Sequence, residues 1–150
     1  MFALKEPIIL VDWSPLCASQ KWQLLRASIP VGGRSLTLYE EVHPQSKLGN
    51  RKVQQDFLLN LKNMLPFGCI PIIVADAGFK TPFYRFIEEK LAWHWVGRIR
   101  GRDFICRSNE TDKWFGAKSL YTQATQTAQS LGEIFWVKSA QLKSFIVMIK

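Results

Sequence analysis

The stretch Ile70-Pro71-Ile72-Ile73-Val74-Ala75-Asp76-Ala77-Gly78-Phe79 constrains this chain more than any other. It is a near-continuous apolar run that delivers one carboxylate at its end and then turns at a glycine. An apolar segment bounded by turn residues suits a strand buried on both faces of a sheet, and a helix-like pattern follows almost at once. Asp76 then stands at the carboxyl end of a strand, where open α/β sheets build their sites. A second run, Pro7-Ile8-Ile9-Leu10-Val11-Asp12-Trp13, also ends in a carboxylate, and Ile8, Leu10 and Asp12 share one face by strand alternation. If the two strands are parallel neighbours, Asp12 and Asp76 leave the same edge and converge. Two carboxylates brought together repel unless a cation sits between them, so the pair is a seat for Mg²⁺ or Mn²⁺, hard ions that take oxygen ligands. Two ions about 3.5–4 Å apart could activate a water or a 3′-hydroxyl for in-line phosphoryl displacement. Against this stands the plainer role of a strand-end Asp as a turn or capping residue.

Between the two runs, Trp22 to Val31 and Ser35 to Val42 are rich in Leu, Ile, Thr and Tyr, and Gly32-Gly33 supplies the positive φ angles of a hairpin turn. The pattern predicts two antiparallel strands, stopped at His43-Pro44 because proline donates no ladder hydrogen bond. From Asn50 the period changes. Val53, Phe57, Leu61 and Met64 recur at helical spacing, with Asn50 as N-cap and Pro66 and Gly68 ending the helix. Arg51 and Lys52 lie in the first turn, where the macrodipole disfavours cations, which fits either screened surface charges or phosphate contacts. Thr81-Pro82 reads as the N-cap and first turn of a second helix with Phe83, Ile87 and Leu91 buried, and Arg85 and Glu89 facing each other outside. Trp93, Trp95 and Ile99 alternate with His94, Arg98 and Arg100, a strand with a basic face. From Gly101 on, only short β-like pieces are read, Asp103 to Arg107, Thr122 to Ser130, Ile134 to Lys138 and Phe145 to Ile149, with no helix and a polar loop over Tyr121 to Gln129.

Composition sets bounds on this. A chain of 150 residues, 47% hydrophobic, fits one globular domain with ample core. The longest apolar run is far short of the ~20 residues that span a bilayer, and the N-terminus from Met1 lacks a signal-peptide layout, so the expected location is cytoplasmic, with no membrane partner. Cys17, Cys69 and Cys106 are odd in number and widely separated, which predicts buried small hydrophobes rather than a disulfide framework or metal knuckle. Twenty Lys and Arg against twelve Asp and Glu give a net charge of +8, which biases such a chain toward polyanions.

Five blocks, in order, carry a more specific signal: Leu10-Val11-Asp12-Trp13-Ser14, Leu25-Arg26-Ala27-Ser28, Gly33 to Pro44, Ile73 to Pro82 and Val96-Gly97-Arg98-Ile99-Arg100-Gly101. They resemble the DDE transposases of bacterial insertion-sequence family four. The resemblance implies a ribonuclease-H-like α/β fold, a mixed sheet of three antiparallel strands then parallel strands with covering helices, over residues 1–101. Residues 102–150 would begin a β-rich insertion subdomain. It implies Asp12 and Asp76 as the first two catalytic, metal-binding carboxylates, with Mg²⁺ or Mn²⁺ as cofactor. It also implies DNA transposition and recombination, by cleavage and strand transfer at the double-stranded ends of a transposable element, in a homodimeric synaptic complex at the nucleoid. Candidate DNA contacts on the basic face are Arg34, Arg51, Lys52, Lys80, Arg98 and Arg100.

The family's third carboxylate sits in a Tyr-x2-Arg-x3-Glu-x6-Lys pattern that these residues do not reproduce. Arg85 and Glu89 have the Arg-x3-Glu spacing, but Pro82 stands at the Tyr position and Val96 at the Lys position. The resemblance therefore implies a truncated piece of the enzyme, inactive alone. The alternative is a non-catalytic basic DNA-binding remnant. A phosphotransferase with Asp12 as nucleophile is the third reading, weakened because Asp12-Trp13-Ser14 lacks a second acid two residues on and no Gly-rich phosphate loop follows.

Overall fold

The computed structural model describes residues 5–110 and 112–150. The N-terminal stretch read for a signal peptide lies partly outside them, from Met1 to Leu4. The chain divides into two compact units, Met1–Arg98 and Ile99–Lys150.

The first unit is a five-stranded mixed sheet with two helices. Strands β1 (Ile8–Pro15), β2 (Trp22–Val31) and β3 (Arg34–Pro44) precede α1 (Arg51–Met64), β4 (Ile72–Ala75), α2 (Thr81–Leu91) and β5 (His94–Gly97). The spatial order is β3-β2-β1-β4-β5, with β1–β2 and β2–β3 antiparallel and β1–β4 and β4–β5 parallel. Gly32 and Gly33, at φ +56° and +76°, make the two-residue turn that pairs Val31 with Arg34. Pairing continues to Gln23↔His43 and Trp22↔Pro44, so the expected stop at His43-Pro44 is corrected. β3 is an edge strand, and a proline at its last position removes no donor the ladder needs.

Both helices pack on one face of this sheet. The row Tyr39, Ala27, Val11, Ala75, Gly97 runs across all five strands in register on that face. Phe57 of α1 lies against Tyr39 at a ring-centroid distance of 5.1 Å, and the Tyr84 hydroxyl of α2 reaches the carbonyl of Ala75. Ile9, Val11, Ile73 and Ala75 are buried there, whereas Ile8 and Val96, on the other face, remain about half exposed. The expectation of strands buried on both faces is thus corrected to strands buried on one. The alternation was masked because the second face is also largely aliphatic.

Helix starts follow their local chemistry in one case and not the other. The Asn50 side chain accepts a hydrogen bond from the Val53 amide at 3.1 Å, as an N-cap should. In α2 the cap is Lys80, with no side-chain cap bond, and Thr81 is the first helical residue, buried beneath the helix. Pro82 stands in the first turn, where its missing N–H costs nothing.

The second unit is a four-stranded antiparallel sheet in the order β7-β6-β8-β9, from β6 (Phe104–Arg107), β7 (Phe115–Gly116), β8 (Gln129–Trp136) and β9 (Leu142–Met148). A 3-10 helix spans Ala117–Gln123, where the sequence pattern showed no helix and placed the start of a β-like piece at Thr122. Its core contains Ile105, Ile134, Trp136, Leu142 and Leu120, and Asp103 ties it together by accepting from the Trp136 indole at 3.2 Å and the Arg100 amide at 3.1 Å. Only Cys106 of the three cysteines is buried; Cys17 is exposed and Cys69 half-buried, and all three are free thiols. No helix among the described residues is long and apolar enough to cross a membrane.

Candidate functional site

One residue beyond the helix-facing row, the same strands carry a second row on the opposite face. Val11 pairs with Ala75 in parallel register, so the next residues, Asp12 and Asp76, are neighbours where the β1–β4 pairing ends; the expectation that β1 ends at Asp12 is corrected, since β1 runs on to Pro15 alongside β2. Asp12 also lies directly across from Arg26 of β2, and Arg26 from Glu40 of β3. On the far side Ala75 pairs with Gly97, and the Arg98 amide donates to the Ala75 carbonyl at 3.3 Å, which sets Arg98 beside Asp76. The row reads Glu40, Arg26, Asp12, Asp76, Arg98: a pair of acids flanked on each side by an arginine.

Electrostatics agrees with this placement. Partial burial pushes the Asp12 carboxyl above the usual carboxylate range, and the negative charge of Asp76 adds to the rise. The Trp13 amide and the Arg26 guanidinium act in the other direction with smaller effect. Asp76 is anchored locally. Its Oδ1 accepts from the Gly78 amide at 2.7 Å, closing a turn. A Cβ at Gly78 would come within 2.8 Å of that Oδ1, so a side chain there would push the carboxylate from its present position.

Arg26 was not singled out as a site residue by its sequence context, and its register explains why. Counting back from the Gly32-Gly33 turn sets Arg26 opposite Tyr39, but a bulge between Ala27 and Ser28 shifts the pairing by one and brings Arg26 to Glu40. The Arg26 Nε donates to Glu40 Oε2 at 3.0 Å, with both side chains about half exposed.

The predicted basic contacts are spread more widely. Lys80 follows Asp76 at the start of α2, and Arg98 flanks it. β3 runs in the same direction as β1, so α1 begins near the same edge and brings Arg51 and Lys52 there; Lys52 is held by Asp56 one turn on. Arg34 opens β3 beside the hairpin turn, at the opposite end of the sheet, and Arg100 belongs to the second unit. Glu89 is paired with Arg85 at 3.4 Å on the outside of α2.

Behind the carboxylate edge, on the helix side, Glu41 accepts from the Tyr39 hydroxyl at 2.6 Å and from Asn60 at 3.2 Å, and His43 Nε2 lies 2.7 Å from its other oxygen. The Trp13 indole stands edge-on to His43, and its buried N–H has no hydrogen-bond partner among the described residues. This cluster ties β3 to α1 and braces the strand that bears Glu40.

Asp12 and Asp76 suit a hard divalent cation: both are carboxylates, they are adjacent in register, and their mutual repulsion is a cost that a cation between them relieves. No group of three or more His, Cys, Asp or Glu side chains is gathered to hold a metal among the described residues. Comparison of the chain with protein-family models, curated proteins and solved structures finds no match in any of them.

Proposed function

We propose that the first unit is the ribonuclease-H-like core of a DDE-type DNA transposase, with Asp12 and Asp76 as two of its metal-binding carboxylates and duplex DNA as its substrate. The observation that carries this reading is the in-register Asp12–Asp76 pair at one sheet edge, with the Asp12 carboxyl raised by partial burial and then by its neighbour's charge. The five sequence blocks that resemble insertion-sequence family four lie on β1, β2, β3, β4 with the start of α2, and β5 with the residues that follow it.

Asp12 and Asp76 would hold Mg²⁺ or Mn²⁺, which when bound lowers the pKa of a coordinated water or hydroxyl and stabilises charge on a phosphoryl oxygen. The other parts belong to the chain. Arg26 and Arg98 flank the acids and supply positive charge to the phosphates on either side of the reacting one, offsetting the repulsion between an anionic backbone and two carboxylates. Glu40 keeps the Arg26 guanidinium extended across the sheet face rather than folded onto Asp12. Lys80, Arg51 and Lys52 widen the basic margin of the same edge. Two carboxylates underfill the coordination of either ion, so the unit as described is proposed to bind metal weakly and to cleave DNA negligibly.

Titration of the chain with Mn²⁺, followed by electron paramagnetic resonance, tests the site. Asp12→Ala and Asp76→Ala should each weaken binding at least about tenfold. Unchanged binding in both variants would sink the metal assignment. The second reading, a basic DNA-binding remnant without catalysis, is favoured by the absence of a third ligand among the described residues. It predicts the same salt-dependent affinity for duplex DNA without any effect of Mn²⁺ on that affinity.

A further inference from the structure

Asp76 is held from below as well as from its own turn. Tyr84, on α2, is fully buried. Its hydroxyl donates to the carbonyl oxygen of Asp76 at 3.2 Å, with the carbonyl of Ala75 at 3.5 Å as a second acceptor. The ring is wedged between Phe83, edge-on at 5.4 Å, and Trp95, tilted at 4.7 Å. It lies directly on the backbone of β5: a Cβ at Gly97 would meet Tyr84 Cζ at 2.5 Å and the hydroxyl oxygen at 2.7 Å. Gly97 therefore has no side chain because the Tyr84 ring occupies that space.

These contacts form one chain of support: Gly97 admits the ring, the ring places the hydroxyl, the hydroxyl grips the Asp76 carbonyl, and the Gly78 amide orients the Asp76 carboxylate. We infer that Tyr84 is the positioning residue of Asp76, fixing where β4 releases its carboxylate beside Asp12, and that Gly97 is glycine to permit it. The inference rests on the metal-site reading for its purpose but not for its geometry. A buried tyrosine commonly donates to a backbone carbonyl, so what marks Tyr84 is which carbonyl it holds. Here the hydroxyl reaches the two carbonyls at the point where β4 ends, one of them the carbonyl of Asp76 itself.

The experiment compares Tyr84→Phe, which keeps the ring and loses the hydroxyl, with Asp76→Asn and with Gly78→Ala, which leaves Tyr84 untouched and crowds the carboxylate directly. Three readouts are taken on the full chain: Mn²⁺ affinity, Tm, and the ¹⁵N shift and hydrogen exchange of the Gly78 amide. Tyr84→Phe is expected to weaken Mn²⁺ binding about tenfold, the usual effect of removing a group that orients a metal ligand, while the fold stays intact. The Gly78 amide should shift and exchange several-fold faster, and Gly78→Ala should weaken Mn²⁺ binding by a similar factor. A merely structural tyrosine would lower Tm and leave the Gly78 signal and the Mn²⁺ affinity where they were, and that result overturns the proposal. If Asp76→Asn binds Mn²⁺ like the parent, the metal reading fails by itself. The Gly78 amide of Tyr84→Phe then still decides whether the hydroxyl positions Asp76.

Discussion

The two faces of the five-stranded sheet are built from alternate residues of the same strands and obey opposite rules. On the helix-covered face, Ile9, Val11, Ala27, Ile73 and Ala75 are small or branched and buried against α1 and α2, and the row ends in a glycine so that an aromatic ring can close on it. One step further toward the same edge of the sheet, the row is Glu40, Arg26, Asp12, Asp76 and Arg98, charged throughout. Burying such a row would cost far more than its pairings return. The contrast teaches that stability and chemistry are separated by a single step of the strand pleat, and that a change on one face should leave the other largely intact.

That separation can be broken by mutation, and the largest effects belong to the covered face. Phe57→Ala removes a fully buried ring packed on Tyr39 and should cost about 3–5 kcal/mol in denaturant unfolding. Val96→Ala, half exposed on the opposite face, should cost less than about 0.5 kcal/mol. Comparable losses from the two would show that the second face is as tightly packed as the first. Gly97→Ala comes next, since the new methyl meets the Tyr84 ring at 2.5 Å and must displace it; overpacking of this kind costs about 1–3 kcal/mol.

The charged row is sharpened by DNA affinity rather than by stability. If Arg26 and Arg98 each neutralise a phosphate, Arg26→Gln and Arg98→Gln should each reduce the slope of log affinity against log salt for a short duplex by about 0.9, with Tm little changed. Arg34→Gln, beside the hairpin turn at the far end of the sheet, should leave the slope where it is. A slope that responds equally to Arg34 would mean that the basic character of the chain, not the row beside the acids, governs binding.

How much of this could be read from sequence depends on the range of the interaction that decides it. The position of Asp76 just past the end of β4, the Gly32-Gly33 turn and the Asn50 cap are local, so residue types alone locate them, whereas β1 does not end at Asp12 but runs on to Pro15 because Trp13 to Pro15 keep pairing with β2. The partner of Arg26 was out of reach because one bulged residue in β3 changes every pairing beyond it, and nothing in the composition of Leu36 to Tyr39 marks the bulge. Tyr84 was passed over because it sits beside Phe83 in a helix whose stripe already had an aromatic, and its role depends on Gly97, thirteen positions on in sequence but in contact in space. Thr81 and Pro82 were read as cap and first turn by type, and the structure moves the cap to Lys80, a residue with no capping chemistry of its own. The one-sided burial of β1 and β4 was hidden for a different reason. Leu10, Ile72 and Val74 are aliphatic on the face that is only partly covered, so hydropathy cannot tell the two faces apart.

The smallest effect is the one that tests the Asp12–Asp76 adjacency most directly. Asp12 has its carboxyl pKa raised in the folded state, first by burial and then by Asp76. A raised acid pKa means the folded chain holds the proton more tightly than the unfolded one. The associated stability is fully present below the ordinary Asp range and is lost as pH climbs through the raised value. At neutral pH, then, the ionised carboxylate opposes folding, and Asp12→Asn should raise Tm. The partly open position keeps the gain small. The gain should shrink as pH falls and vanish once Asp12 is protonated in both states. Replacing Asp76 by Asn instead removes only the second cause, so the Asp12 carboxyl, followed by its ¹³C shift, should move part of the way toward the usual range and stop there because burial remains. No movement at all would mean that the two carboxylates do not feel each other, and the pair would lose its claim to a shared cation.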